Sequence, residues 1–415
     1  MNALRAIDFK RDDPNNVSVS VLDQLLLPYT TKYIPIYTID DGFTVIKKMQ
    51  VRGAPAIAIV GALSVLMESQ LLLSEGFCKT QYYYNLNDWE NIRSKIDERL
   101  AFLLSSRPTA INLSNALDEI KIVLNSASDL QTFKNNLFDY VCKLIDDDFA
   151  NNKRMGDNGA EFLLNLLKKE NFNEDFAVFT ICNTGSLATS GYGTALGVIR
   201  SLWNDSKNKT QEGNPNKKVK LTESSPKMVQ VFPLETRPYN QGSRLTAYEL
   251  VHDDIPATLI PDSSIAYKIM TSKIPIKAAF VGADRIVRNG DTANKIGTLQ
   301  LAIICKQFGI KFFVVAPRTT IDKVTEEGKD IIVEERNANE FKIVTGSAVD
   351  MQTNKPILDE KNEPITAKVG IAPENINVWN PAFDITSFEY IDGIVTEVGV
   401  FTKNENGNFD LSALH

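Results

Sequence analysis

The chain has 415 residues, a length for two or three domains around a sizeable buried core. Apolar residues make up 43% and charged residues 23%, and the net charge is −7, so the chain as a whole is not built to bind polyanions and no nucleic-acid partner is expected. Its four cysteines (Cys78, Cys142, Cys182, Cys305) and two histidines (His252, His415) show no metal-ligand spacing, so no metal is expected; reduced thiols of an intracellular protein fit better than a disulfide framework.

The N-terminus, Met1 to Phe9, lacks the apolar core of a signal peptide. No apolar run approaches the about 20 residues that span a bilayer. A cytoplasmic protein without a membrane partner is expected. Residues 1–150 read as one domain, mainly helical after a strand-rich start. Trp89, Ile92, Ile96, Leu100 and Leu103 mark one face of a helix, with Asn87 or Asp88 as its cap. Before it, Arg52-Gly-Ala-Pro55 leads into the apolar run 56–67. Gly53 lets backbone approach a ligand, Pro55 suits a first helical turn, and Arg52 could pair with a phosphate or stand as a plain surface arginine. Arg107-Pro108 repeats the theme of an arginine before a Pro-led turn.

From about Asn171 the texture changes, and residues 151–415 read as a second domain. Short β-branched or aromatic runs (176–181, 228–233, 255–260, 278–281, 311–316, 393–396) alternate with helical stretches (187–202, 243–252, 263–271, 293–308). This α/β alternation predicts a parallel, doubly wound sheet, in which ligands bind beyond the carboxyl ends of the strands. Residues 204–227, rich in Asn, Lys, Ser, Thr and Glu, read as a disordered insertion. Lys217-Lys-Val-Lys220 within it is a weak nuclear-import pattern, with a solvated loop as the plain alternative. Residues 325–374 are charged and irregular, with a hairpin expected near Glu340–Thr345.

Two strand ends carry chemistry. The run 176–181 ends on Cys182-Asn-Thr-Gly185, and the run 278–281 ends on Gly282-Ala-Asp284. A thiol and a carboxylate at two such ends could flank one small-molecule site. Thr184 to Ser190 offers N–H groups and hydroxyls suited to an anion. Gly191-Tyr-Gly193-Thr-Ala-Leu-Gly197 misses the dinucleotide spacing, so an NAD enzyme is disfavoured and close helix packing is the better account. Glu235-Thr-Arg-Pro-Tyr-Asn-Gln241 follows another strand. Glu235 and Arg237 could pair with each other, and Gln241 could reach a sugar hydroxyl. Asn294 and Lys295, near a helix start, could hold polar ligand atoms.

Together these motifs resemble the methylthioribose-1-phosphate isomerases. The likeness rests on Arg52-Gly-Ala-Pro-Ala, Cys182-Asn-Thr-Gly, Glu235-Thr-Arg-Pro-Tyr, Gly242-Ser-Arg-Leu-Thr-Ala-Tyr-Glu-Leu250, Gly282-Ala-Asp284, Gly290-Asp-Thr-Ala-Asn-Lys-Ile-Gly-Thr298 and Asn380-Pro-Ala-Phe-Asp384, and it covers nearly the whole chain. It implies a helical N-terminal domain and a Rossmann-like C-terminal domain, a homodimer, a sugar-phosphate substrate of methionine salvage, and no metal or other cofactor. It implies catalytic roles for Cys182 and Asp284, with substrate contacts from Arg52, Gly53, Ala54, Arg107, Gln241, Asn294 and Lys295. Two similar groups compete. The regulatory alpha, beta and delta subunits of the translation-initiation exchange factor share the fold without the activity, and ribose-1,5-bisphosphate isomerase shares the acid/base logic. Cys182 and Asp284 together with the intact Asn-Lys-Ile-Gly run favour the isomerase.

Overall fold

The structure, a computed structural model, describes residues 4–74, 83–108, 110–211 and 225–414. Cys78 and Lys217–Lys220 lie outside them. The chain divides into two compact units: residues 1–25, 31–151 and 186–193 form the first, and residues 26–30, 152–185 and 194–415 the second.

In the first unit, β1 (Ile7–Lys10), β2 (Ser18–Leu22) and β3 (Tyr33–Ile36) form an antiparallel sheet. Four helices follow: α1 (Ile39–Lys47), α2 (Ala54–Leu73), α3 (Trp89–Leu104) and α4 (Ile111–Ser126). Asp88 caps α3 by accepting from the N–H groups of Glu90 and Asn91, and Ile92, Ile96, Leu100 and Leu103 are buried, as their spacing predicts. The 20-residue α2 corrects one expectation, because it is long and apolar enough to cross a membrane. It is instead a core helix, buried on nearly all sides and packed on α1, α4 and β2, which explains its lack of a polar face. Within this core Glu68 is 1% exposed. Its carboxylate accepts from Arg99 Nε at 2.5 Å, the Tyr84 hydroxyl at 2.5 Å and the Ile39 N–H at 2.8 Å, so the buried charge is paired and hydrogen-bonded.

Helix α5 (Leu130–Lys169) begins in the first unit and ends in the second. The second unit continues with β4 (Phe176–Thr180), α6 (Ala195–Gln211), β5 (Met228–Pro233), α7 (Ala247–His252), α8 (Ile265–Thr271) and β6 (Ile276–Val281). Next come β7 (Arg285–Ile286), β8 (Thr292–Lys295), α9 (Thr298–Gln307), β9 (Lys311–Val315) and α10 (Asn339–Lys342). The chain closes with β10 (Ile343–Ser347), β11 (Thr366–Gly370), β12 (Phe383–Thr386), β13 (Gly393–Thr396) and β14 (Gly399–Phe401).

The main sheet has the order β14-β13-β9-β6-β4-β5, parallel except for β14. Alternate residues feed two cores. Ala177 and Phe179 pack with Leu301, Ala302 and Cys305 of α9 on one face. Phe176 and Val178 pack with Leu163 and Leu167 of α5 and Leu196 and Ile199 of α6 on the other. Burial on both faces explains why these strands read as continuous apolar runs. The α/β reading of the sequence describes this architecture.

Several boundaries differ for local reasons. Residues 255–260 make only isolated bridges, Val231 to Ala257 and Leu234 to Ile260, since Pro256 brings no N–H to a ladder. The run 293–308 is split: β8 takes residues through Lys295, Gly297 turns the chain at φ 100°, and α9 starts at Thr298. Helix α6 starts at Ala195, because Gly191, Tyr192 and Gly193 all hold positive φ. It runs on through Gln211, so residues 204–211 are helical, with Ser206 donating to the Leu202 carbonyl at 2.9 Å and Lys207 over the Trp203 ring at 5.1 Å. The expected hairpin near 340–345 is shifted: α10 occupies Asn339–Lys342, and β10 pairs with β11.

Candidate active site

The sheet order sets the site. From β4 the chain passes to β5 on one side, whereas β6 lies on the other side of β4 and leads on to β9. Connections leaving the carboxyl ends of β4 and β6 therefore diverge, which opens a crevice between those two ends. Phe179 is in register with Ala279. Cys182 and Gly282 each lie three residues further on, and Asp284 follows Gly282. A Cβ on Gly282 would sit 2.6 Å from Thr184 Cγ2, so the two turns touch only because residue 282 is glycine.

Cys182 is half-buried and has φ 65°, a left-handed conformation costing about 1–3 kcal/mol for a non-glycine residue. Its N–H donates to Thr236 Oγ1 at 2.9 Å, and its carbonyl accepts from the Thr246 hydroxyl. In the next turn Asn183 Oδ1 accepts from the Gly185 N–H at 2.9 Å. Gly185 leaves no room for a Cβ, which would sit 2.1 Å from the Glu249 carboxylate. Glu249 is fully buried and accepts from Arg200 at 2.8 Å. Burial works against the Arg200 charge, but Glu249 and Asp253 overcome it and hold its pKa above the usual value.

Asp284 starts a hairpin. Its N–H donates to the Ala293 carbonyl at 2.9 Å, directly before Asn294 and Lys295 on β8. Asn294 donates to Thr298 Oγ1 at 3.1 Å. Lys295 is 6% exposed; its ammonium donates to the Ala382 carbonyl at 2.9 Å and lies over the rings of Phe383 at 4.3 Å and Tyr239 at 5.7 Å. Sequence reasoning missed Asp384 as a site-building residue, although its motif was legible. It pairs in register with Asn294, and its carboxylate accepts from the N–H groups of Gly297 at 2.8 Å and Leu299 at 3.1 Å. Burial pushes its pKa up to about 6, against the opposing pull of those two N–H groups and Lys295.

The turn after β5 supplies a third wall. Asp262 accepts from the N–H groups of Thr236 at 2.8 Å and Arg237 at 2.7 Å, and the Arg237–Pro238 bond is cis. Arg237 donates to the Phe341 carbonyl at 3.0 Å and lies over the Phe341 ring; no Glu235–Arg237 ion pair forms among the described residues. The Tyr239 hydroxyl donates to Glu340, and burial, with Glu340 adding to it, pushes its pKa up to about 12. Gln241 is 5% exposed, and its amide oxygen has no hydrogen-bond partner among the described residues; the same holds for Asn183 Nδ2. A buried acceptor and a buried donor left open suit a hydroxylated ligand. The second unit thus brings Cys182, Gln241, Asp284, Asn294 and Lys295 to the carboxyl ends of β4, β5 and β6.

Arg52, Gly53, Ala54 and Arg107 belong to the first unit. Arg52 Nε donates to the Met49 carbonyl at 3.3 Å. Gly53 precedes Ala54, the first residue of α2, at φ 93°, and a Cβ on it would sit 2.2 Å from the Ala188 carbonyl oxygen. Gln24 Nε2 donates to the neighbouring Leu187 carbonyl at 2.7 Å. Arg107 lies in the turn between α3 and α4, where its carbonyl accepts from the Ala110 N–H at 3.0 Å.

Other sequence candidates have structural work. Ser190 donates to Asp148 at 2.6 Å, Thr189 Oγ1 bonds within the Gly191 turn, and Thr184 Oγ1 accepts from the Leu196 N–H at 3.2 Å. Asp148 therefore disfavours an anion at Ser190, one end of the 184–190 stretch. Asn289 and Asp291 brace their own turn, and Arg285 pairs with Asp322 at 3.4 Å. Among the described residues no group of three or more His, Cys, Asp or Glu side chains is placed to hold a metal ion.

A model of the initiation factor 2 subunit family matches residues 50–403. The chain is 70% identical over 413 residues to methylthioribose-1-phosphate isomerase of Vanderwaltozyma polyspora, covering 99% of this chain and 100% of that one. Two solved structures are each 31% identical. One is 5-methylthioribose 1-phosphate isomerase of Pyrococcus horikoshii, at TM-score 0.72 with 97% of this chain and 93% of that chain covered. The other is the translation initiation factor eIF-2B subunit delta of A. fulgidus, at TM-score 0.71 with 99% of each covered.

Asp384 gives a pH test. Its folded pKa of about 6 lies above its ordinary 3.8, so the stability it contributes is complete below pH ~4 and is lost as pH rises through about 6. Relative to Asp384→Asn, the wild type is expected to lose up to about 3 kcal/mol between pH 4 and 7 in denaturant unfolding. A pH-independent difference between the two would contradict this.

Proposed function

This chain belongs to the initiation factor 2 subunit family, among its methylthioribose-1-phosphate isomerases, and on that premise we propose that it converts 5-methylthioribose 1-phosphate to 5-methylthioribulose 1-phosphate in methionine salvage. One observation carries the chemistry: a thiol and a carboxylate follow the carboxyl ends of two adjoining parallel strands. Phosphate blocks the anomeric oxygen, so the sugar cannot open to a free aldehyde. Ring opening gives the ring oxygen a proton and leaves a phosphate-bearing, cation-like C1. In one route C2 passes its hydrogen to C1 as hydride while the C2 hydroxyl loses a proton. In the other, C2 loses its hydrogen as a proton to give an enol phosphate, which is then protonated at C1 as the C2 hydroxyl gives up its proton. Both routes deliver one proton to the ring oxygen and take one from the C2 hydroxyl, so no redox cofactor is consumed.

Asp284 is the principal acid/base and Cys182 its partner; such groups contribute about 10²–10⁴-fold each. Gln241 and Asn294 hold sugar hydroxyls, and the Lys295 ammonium neutralises phosphate charge, a role supported by its motif. For Arg52, Gly53, Ala54 and Arg107 a substrate-contact role rests on their motifs alone. Exclusion of water would protect the C1 cation from hydrolysis.

A homodimer is part of the same reading, supported by the family resemblance alone. Sedimentation is expected to give about twice the 46.2 kDa chain mass, and a monomer at micromolar concentration would contradict it. Cytoplasmic residence, with a nuclear share if Lys217–Lys220 is read as an import signal, is checked by imaging a tagged chain.

Substrate carrying deuterium at C2, followed by NMR, tests the activity. Formation of the ketose is expected, and its absence would favour the binding role of an initiation-factor subunit. Deuterium retained at C1 assigns hydride transfer; washout assigns the enol.

A further inference from the structure

We infer that Thr236 and Thr246 are positioning residues for Cys182: two buried hydroxyls clasp the two backbone polar groups of that one residue and fix it in its left-handed conformation. The inference deepens the proposed function, because it rests on Cys182 acting on substrate. Thr236 is fully buried and Thr246 is 1% exposed. Thr236 Oγ1 donates to the Leu234 carbonyl at 3.1 Å, which commits its proton and leaves a lone pair for the Cys182 N–H at 2.9 Å. On the other side the Thr246 hydroxyl donates to the Cys182 carbonyl.

The clasp answers a geometric need. Alternation along β4 sends Phe179 and Ile181 to one core and Phe176 and Val178 to the other. A Cys182 that continued the strand would follow Val178 and Thr180 onto the second face. With φ 65° it leaves that alternation, and its side chain is half-buried at the sheet end. An L-residue other than Asn or Asp seldom adopts this conformation.

Thr236 is itself braced. It also has a φ of 65°, and Asp262 accepts from its N–H and from that of Arg237 through separate carboxylate oxygens. Gly242 packs so closely that a Cβ there would meet the Leu234 carbonyl oxygen at 1.6 Å. Thr246 follows in the same segment, which places the second hydroxyl. Asp262, Thr236 and Cys182 thus form a relay of backbone restraints from the β5 turn to the thiol.

The test compares Thr236→Val and Thr246→Val, which keep shape and lose the hydroxyl, with Thr236→Ser and Thr246→Ser, which keep it. Steady-state kinetics are paired with peptide-resolved iodoacetamide labelling of Cys182, with half-buried Cys142 as internal reference. For each Val variant kcat is expected to fall about tenfold or more with KM within about twofold, and Ser is expected to restore it. Labelling of Cys182, and not of Cys142, is expected to change about threefold or more with the Val variants. Folded Val variants with wild-type kcat and wild-type Cys182 labelling would overturn the inference. If neither Val variant folds, loss of turnover in the Ser variants, which retain both hydroxyls, would overturn it. Normal turnover by Cys182→Ser would instead overturn the catalytic reading of Cys182, whereas the labelling change would still report the clasp.

Discussion

The divergence of the chain at the carboxyl ends of β4 and β6 is the constraint on which the site depends. Parallel strands buried on both faces cannot expose chemistry along their length, so reactive groups collect where the ladders stop. With β5 on one side of β4 and β6 and β9 on the other, the turns after β4 and β6 part company. Cys182 and Asp284 occupy those two turns, and the turn after β5, from Glu235 to Gln241, closes the third side.

That crowding makes glycine a structural necessity at a few points. Gly282 lets the Asp284 turn meet Thr184, and Gly185 lets the Cys182 turn lie on the buried Glu249 carboxylate. Arg200 pairs with both Glu249 and Asp253, so the carboxylate beside Gly185 is a paired charge. Lys295 is a cation held between a carbonyl and aromatic rings, and Asp384 anchors the start of α9. The positive φ of Cys182 and Thr236 is met by side-chain hydrogen bonds to the backbone.

Much of this was legible in the chain. The alternation of apolar runs and helices pointed to the doubly wound sheet, and Cys182 and Asp284 lie just past the ends of the strands that the runs 176–181 and 278–281 marked. The helix at Trp89 to Leu104 followed from its spacing and its Asp88 cap. What escaped has physical causes. Helix α2 is apolar on every side, so periodicity says little about it, and its single buried Glu68 is intelligible only with Arg99 in view. The break between Lys295 and Thr298 depends on one glycine with positive φ inside a segment of good helical pattern. Ser190 and Thr189 looked free for an anion because their partners, Asp148 and the Gly191 turn, are set by tertiary structure. The roles of Asp384, Thr236 and Thr246 are backbone roles, and a sequence does not display which N–H a side chain will meet.

The central claim is that Cys182 and Asp284 act as one acid/base pair across the crevice. A double-mutant cycle on turnover, with Cys182→Ser, Asp284→Asn and the double variant, tests it most directly. The account predicts that each single variant loses about as much kcat as the double. Losses that multiply independently, or a Cys182→Ser enzyme with wild-type turnover, would contradict it.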